Sequence, residues 1–175
     1  MRRLFVAVWP PAALVDQLRA LERPVRSGLR WTTPDQWHIT LRFVGSVDDT
    51  AEAQLRDALT GAAAGAGSAD ASAGPRLRAL GNAVWVLPVT GLDSLAQIVQ
   101  QATGDIGRPP ARRPFRGHVT VARARHSRGL AGLPAGSLSA QWTVDELTLV
   151  ASDLHRDGAR YHVVGRWPLT PTVVT

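Results

Sequence analysis

Two short stretches of the sequence decide the fold, and they share one pattern. Residues 37–41 read Trp-His-Ile-Thr-Leu, and 80 residues later residues 117–121 read Gly-His-Val-Thr-Val. Side chains alternate between the two faces of a β-strand, so the histidine and threonine of each stretch share one face. The aliphatic residues share the other face. Each stretch therefore predicts a strand with an apolar face for the core and a polar face that lines a cleft.

The repeated histidine and threonine suit acid and base catalysis on a phosphate. An unperturbed imidazole has a pKa of about 6.5, so one can take a proton from water while a second gives a proton to a leaving oxygen. The hydroxyls of Thr40 and Thr120 can donate hydrogen bonds to phosphate oxygens. We expect His38 and His118 to form a catalytic pair that needs no metal or cofactor. The residues alone leave open which histidine is the acid.

Composition excludes several classes of function. The chain has no cysteine, which rules out disulfides, thiolate catalysis and zinc sites that use cysteine. A metallohydrolase built on the five histidines is disfavoured because the sequence has no HExxH motif. The net charge is +6, and all 20 basic residues are arginine. Arginine stays protonated and matches phosphate geometry, which favours a phosphate-bearing partner.

The length of the chain indicates a single domain, and its hydropathy indicates that it does not span a membrane. A chain of 175 residues fits one domain with its own core. No apolar run approaches the length of a membrane span, and the apolar run at residues 4–9 is too short for the core of a signal peptide. We expect a cytoplasmic monomer that does not contact a membrane.

Periodicity along the chain predicts an α+β fold with a mainly antiparallel sheet. Helices are predicted to begin at Pro10-Pro11 and to cover residues 48–59 and 92–103. Strands are predicted at 3–8, 37–43 (closed by Gly45), 76–80, 83–89, 117–124, 142–151 and 160–167. Flexible or extended loops are predicted at 61–74, 108–114 and 125–139, and a turn near Asp157-Gly158.

These residues resemble the paired HxTx motifs of the two-histidine (2H) phosphoesterase superfamily, in particular its LigT-like RNA 2',3'-cyclic phosphodiesterases of bacteria and archaea. The similarity spans nearly the whole chain. Its most recognisable stretches read HITLRFVGSV at 38–47 and RGHVTVARAR at 116–125. Further similar segments are residues 3–8, Arg30-Trp31, residues 152–154, Tyr161 and residues 167–169.

The resemblance implies both a fold and a set of roles. The fold is a single bilobal domain over residues 1–175, in which two pseudo-symmetric lobes place antiparallel sheets across a central cleft, with helices outside and one motif per lobe. His38 is then the proton donor to the leaving 3' oxygen, and His118 is the base that activates water. The product is a 2'-phosphomonoester, and Thr40 and Thr120 hold phosphate oxygens.

The resemblance also assigns Arg123 as a phosphate ligand and Phe43 as a surface on which a base stacks. Simple alternation puts both side chains on the apolar faces of their strands, so each assignment requires a bulge or a strand end. The expected partner is RNA with a 2',3'-cyclic phosphate end, steered by the arginines at 108, 112, 113 and 116.

Three alternatives to RNA cyclic phosphodiesterase activity stay open. The same site could join RNA through a 2'-5' bond, could act on small cyclic nucleotides, or could bind nucleotides without catalysis. The joint presence of two histidines argues against the last. His126, His155 and His162 carry no further pattern and receive no role.

Overall fold

A computed structural model of the chain describes residues 1–156 and 158–171. Within them the chain is α+β, as predicted. The helices are α1 (Ala12–Arg19), α2 (Asp49–Gly65) and α3 (Asp93–Ala102). The strands are β1 (Arg2–Val8), β2 (Leu29–Trp31), β3 (Ile39–Val47), β4 (Ala69–Ala73), β5 (Arg78–Leu80), β6 (Val84–Thr90), β7 (His118–Ala124), β8 (Ala140–Val144), β9 (Glu146–His155) and β10 (Gly158–Pro168). No helix in the described ranges is long and apolar enough to cross a membrane.

The strands form one curled antiparallel sheet whose two halves meet at the repeated motifs. The strand order is β10-β9-β1-β3 in one half and β7-β6-β4-β8 in the other, with β2 on β7 and β5 on β6. Among the described residues, the halves are joined through the pair Ile39 and Val119. The two sheets expected from the family resemblance are therefore connected edge to edge. Because each joining residue directly follows a motif histidine, the connection brings His38 and His118 close together.

Burial along β3 and β7 confirms the alternation predicted for the two motifs. Ile39 and Val119 are fully buried, and Leu41 and Val121 nearly so, within the main hydrophobic core. Apolar residues of all three helices, including Leu18, complete that core. The threonines between the buried aliphatic residues are only half-buried. One face of the sheet therefore packs against the hydrophobic core, and the other face carries polar side chains.

Each motif strand carries a bulge at the third residue after its histidine. In β3 the pairing with β1 skips Leu41, and in β7 the pairing with β6 skips Val121. A bulge adds one residue and so resets the side-chain alternation. Beyond it, Phe43 and Arg123 fall on the same faces as the motif threonines. The bulges that both assignments required are present.

The segment at 61–74 is not the flexible loop predicted from its Ala, Gly and Ser content. Helix α2 continues to Gly65, and β4 occupies Ala69–Ala73. Alanine has the highest intrinsic helix propensity, so an alanine-rich segment readily extends a helix. Strand β4 has little sequence signal of its own because its position between β6 and β8 stabilises it.

Other strand boundaries also depend on partners far away in sequence. The run at 142–151 was predicted as one strand but is divided at Asp145, because β8 pairs with β4 whereas β9 pairs with β1 and β10. Strand β3 passes through Gly45, which adopts a φ of 84°, rather than ending there. Strand β2 was not predicted. The predicted turn near residues 157 and 158 lies in part outside the described residues, because Asp157 is not described.

Candidate active site

The connection between the two halves of the sheet borders a cleft of about 570 Å³. All six side chains predicted for the site line this one cleft: His38, Thr40, Phe43, His118, Thr120 and Arg123. Three come from β3 or the residue before it, and three come from β7. Side chains separated by 80 residues in sequence are thus brought to a common space.

A backbone carbonyl fixes the orientation of the His38 ring. Its Nδ1 lies 2.8 Å from the carbonyl oxygen of Gln36, and its Nε2 lies 3.0 Å from the hydroxyl oxygen of Thr40. Since a carbonyl only accepts hydrogen bonds, Nδ1 carries a proton, and Nε2 is the nitrogen that gains or loses one. Aromatic rings enclose the imidazole, with ring centroids 4.7 Å away for Phe5 and 5.0 Å away for Tyr161.

His118 is held by the same backbone device. Its Nδ1 lies 2.6 Å from the carbonyl oxygen of Arg116, which again stands two residues before the histidine. The same tautomer follows, with Nε2 left to exchange a proton. Gly117, which stands between Arg116 and His118, passes very close to β6. A Cβ atom added to Gly117 would lie 2.4 Å from the carbonyl oxygen of Val89. The absence of a side chain at this position thus permits the approach that sets up the motif.

Both imidazoles are held towards the neutral form in the free site. Burial lowers the pKa of His38 to about 4, and the positive charges of His118 and Arg123 add to the effect, while the hydrogen bond to Gln36 opposes it. Burial, Arg123 and Arg113 likewise lower the pKa of His118. A phosphate anion between the rings would offset this repulsion and favour protonation. A protonated imidazole therefore forms most readily together with a bound anion.

Cationic side chains surround the histidines. Arg3, Arg30, Arg123 and Arg156 line the cleft, and no Asp or Glu is among its described lining residues. Such a surface attracts anions. The guanidinium of Arg3 lies over the Phe43 ring, 4.8 Å from its centroid. A base can stack on that face of the ring only if Arg3 moves.

Several residues of the cleft were not predicted as site residues. Gln36 connects the first motif to β10 by donating from its side-chain amide to the carbonyl of Ala159, at 2.7 Å. Tyr161 and Arg30 resembled family positions without a stated role, and His155 had none, yet all three line the cleft. Strands β9 and β10 bring His155 and Tyr161 here, and this pairing is not encoded by any local motif. His126 and His162 do not line the cleft.

Within residues 1–156 and 158–171, no group of three or more histidine, aspartate or glutamate side chains is arranged to hold a metal ion.

Comparisons with known proteins identify the family. The family model described as LigT like Phosphoesterase matches residues 8–73. The RNA 2',3'-cyclic phosphodiesterase of Escherichia coli is 32% identical over 178 residues, which cover 97% of each chain. The chain belongs to the LigT-like phosphoesterase family. The resemblance found in the two HxTx motifs is thereby confirmed.

Solved structures agree with this assignment. The crystal structure of E. coli LigT complexed with 3'-AMP superimposes with a TM-score of 0.80 at 29% identity, covering 97% of this chain and 98% of that chain. A Thermus thermophilus protein has a TM-score of 0.78 at 26% identity, with the same coverage. The predicted fold class, an α+β LigT-type fold, is confirmed.

Proposed function

We propose that this LigT-like phosphoesterase hydrolyses RNA 2',3'-cyclic phosphate ends to 2'-phosphomonoesters by acid and base catalysis without a metal. One observation carries the proposal. Two imidazoles border one arginine-lined cleft, and each donates Nδ1–H to a backbone carbonyl, which leaves both Nε2 atoms for proton transfer. The similarity to the E. coli RNA 2',3'-cyclic phosphodiesterase supports the substrate class.

His118 is the proton acceptor in the proposed reaction, and His38 is the proton donor. His118 Nε2 takes a proton from a water that attacks phosphorus, and the bond between phosphorus and the 3' oxygen breaks. His38 gives its Nε2 proton to that oxygen, so a 3'-hydroxyl and a 2'-phosphate remain. His38 is enclosed by aromatic rings, whereas His118 lies in more exposed surroundings, which suits a base that meets solvent water.

The remaining site residues bind the substrate in this proposal. The hydroxyl of Thr120 donates to a phosphate oxygen, and the hydroxyl of Thr40 turns from His38 Nε2 to do the same when substrate binds. Arg123 balances the charge that builds up on these oxygens. Phe43 offers a ring for the base once Arg3 has moved. A nucleotide-binding module without catalysis has no need for two imidazoles held in one tautomer.

We further propose that the chain acts in the cytoplasm as a monomer and as one domain of two pseudo-symmetric lobes. The paired placement of the motifs and of their bulges supports the two lobes. Light scattering would measure the oligomeric state, and calorimetry would show whether unfolding occurs in one transition.

The deciding experiment is hydrolysis of an RNA oligonucleotide that ends in a 2',3'-cyclic phosphate, with EDTA present. We expect turnover, and we expect NMR or enzymatic mapping to place the product phosphate on the 2' oxygen. A 3'-phosphate product would reverse the assignment of the leaving group. Full dependence on an added divalent metal would contradict the two-histidine mechanism, and formation of 2'-5' joined RNA under the same conditions would favour the ligase alternative.

A further inference from the structure

A second groove adjoins the cleft that contains the two motif histidines. Its volume is about 550 Å³, and it shares Thr40, Phe43 and His118 with the cleft. Its far wall is the arginine- and proline-rich segment at 108–116. The two spaces therefore meet at these three side chains, so a ligand longer than one nucleotide can extend from one to the other.

The lining of this groove combines positive charge with apolar surface. Arg108, Arg113 and Arg116 contribute guanidinium groups, and Phe115 contributes an aromatic ring. Three prolines add further apolar surface, and no carboxylate is among the described lining residues. Sites that bind single-stranded nucleic acid combine these features, since cations follow the phosphates and rings stack on the bases.

The wall of the groove is fixed to the sheet by a buried arginine. Arg42 is only 3% exposed, and its guanidinium donates to the carbonyl oxygens of Phe43, Ile106 and Arg108. The backbone N–H of Arg108 also donates to the carbonyl of Val44, at 2.7 Å. These bonds hold the start of the arginine-rich segment against β3. The groove is thus a built feature of the fold.

We propose that this groove binds the nucleotide that precedes the terminal one in an RNA chain, so that the enzyme prefers RNA ends to cyclic mononucleotides. The inference rests on the proposed function, since it places the reacting cyclic phosphate between His38 and His118. Arg108 and Arg116 contact the phosphodiester that links the two nucleotides, and Phe115 stacks on the preceding base.

The test compares three substrates: a 2',3'-cyclic mononucleotide, a dinucleotide with a 2',3'-cyclic end, and a longer oligonucleotide with the same end. The variant Arg108→Ala/Arg116→Ala changes two exposed side chains and leaves the backbone bonds in place. We expect the ratio of kcat/KM for the dinucleotide or the oligonucleotide to kcat/KM for the mononucleotide to fall about tenfold. The salt dependence of kcat/KM for the longer substrates should also become shallower.

Arg112→Ala is the matched control. Arg112 is an exposed arginine of the same segment, but it borders a neighbouring cavity and not this groove. Its removal tests for general attraction between the segment and RNA. An equal loss in the Arg112→Ala variant would overturn the groove as a specific subsite. So would an equal loss on all three substrates in the double variant.

Phe115→Leu tests the stacking position separately. The ring is partly buried and packs against the core, so leucine keeps much of the apolar contact. We expect the preference of the dinucleotide over the mononucleotide to fall severalfold, since an aliphatic side chain stacks poorly on a base. An unchanged preference would contradict a stacked base at this position.

A binding measurement separates this inference from the proposed function. Fluorescence anisotropy with a labelled RNA trinucleotide bearing a terminal 2'-phosphate requires no turnover. Weaker binding by the double variant, with normal binding by Arg112→Ala, supports the groove even if no cyclic phosphate is hydrolysed. Normal binding by the double variant overturns the groove, and the hydrolysis assay then judges the proposed function alone.

Discussion

The two halves of the sheet carry the same four-residue motif in different surroundings. In the half that contains β3, His38 packs against Phe5 and Tyr161 and hydrogen-bonds to Thr40. In the half that contains β7, His118 lies nearer to solvent and to the arginine-rich segment. Both rings nevertheless use the same carbonyl bond to fix the same tautomer.

This difference shows that a shared local motif fixes the geometry but not the proton affinity. The tautomer follows from a bond within three residues, so both motifs produce it. The pKa follows from burial and from charges brought by other strands and loops. Burial is the largest cause for both histidines, and it lowers the pKa of the more enclosed His38 to about 4. Two equivalent sequences thereby become two unequal acids.

The largest expected effect comes from removing either imidazole. We expect His38→Ala and His118→Ala each to lower kcat/KM by about 10²–10⁴-fold, because each removes one proton transfer. The double variant should be little worse than either single variant, since the two groups act as a unit. His126→Ala changes an exposed histidine outside the cleft and should leave the rate unchanged. Near-normal turnover by either single variant would contradict a two-histidine mechanism.

Enclosure of His38 should make folding stability depend on pH. Its pKa is about 4 in the folded chain, against about 6.5 when unfolded. The unfolded chain therefore binds more protons as the pH falls below 6.5, and the free energy of unfolding falls. One such group corresponds to a loss of about 2 kcal/mol between pH 7 and pH 5.

Denaturant unfolding over this pH range measures the effect. His38→Gln should give a flatter dependence on pH than the wild type, because glutamine does not titrate. His118→Gln should flatten it less, because His118 is less enclosed. Equal slopes for the wild type and His38→Gln would show that the pKa of His38 is close to its ordinary value in the folded protein.

Sequence alone predicted the parts of the site that depend on local patterns. His38, Thr40, His118 and Thr120 follow from strand alternation, which acts between neighbouring residues. Simple alternation places Phe43 on the apolar face of β3. Only the pairing of β3 with β1 shows the bulge that brings its side chain into the cleft. No local pattern in the chain indicates that bulge.

The incorrect predictions and the site residue Tyr161, to which no role was assigned, have the same physical origin. The 61–74 segment contains β4 because two strands from elsewhere in the chain pair with it. The run at 142–151 divides at Asp145 because its two parts pair in opposite halves of the sheet. Tyr161 reaches His38 only through the pairing of β10 with β9. Partners that are distant in sequence determine all three features.

Removing the hydroxyl of Thr40 or Thr120 should have a smaller effect on the rate. The two variants should differ in their pH profiles, as the two halves of the sheet differ around the histidines. Thr40→Val and Thr120→Val are each expected to lower kcat/KM about tenfold, because valine keeps the shape but loses a hydrogen bond to phosphate. Thr40→Val should also change the pH profile, since the Thr40 hydroxyl contacts His38 Nε2. Thr120→Val should leave the profile unchanged. Identical profiles for both variants would show that the contact does not affect proton exchange at His38. Thr90→Val, at an exposed position outside the cleft, is the control.

The smallest expected effect comes from removing the positive charge of Arg123, which acts on both histidines. Burial, and to a smaller extent Arg123, lower the pKa of both imidazoles, so the pH optimum of kcat/KM in the wild type should lie below 6.5, where one ring is protonated and the other neutral. Arg123→Gln removes the charge, and the optimum should move to higher pH. Arg128→Gln removes an exposed charge outside the cleft and should not move it. An unchanged optimum would mean that Arg123 acts mainly by orienting phosphate, with burial setting the proton affinities of both rings.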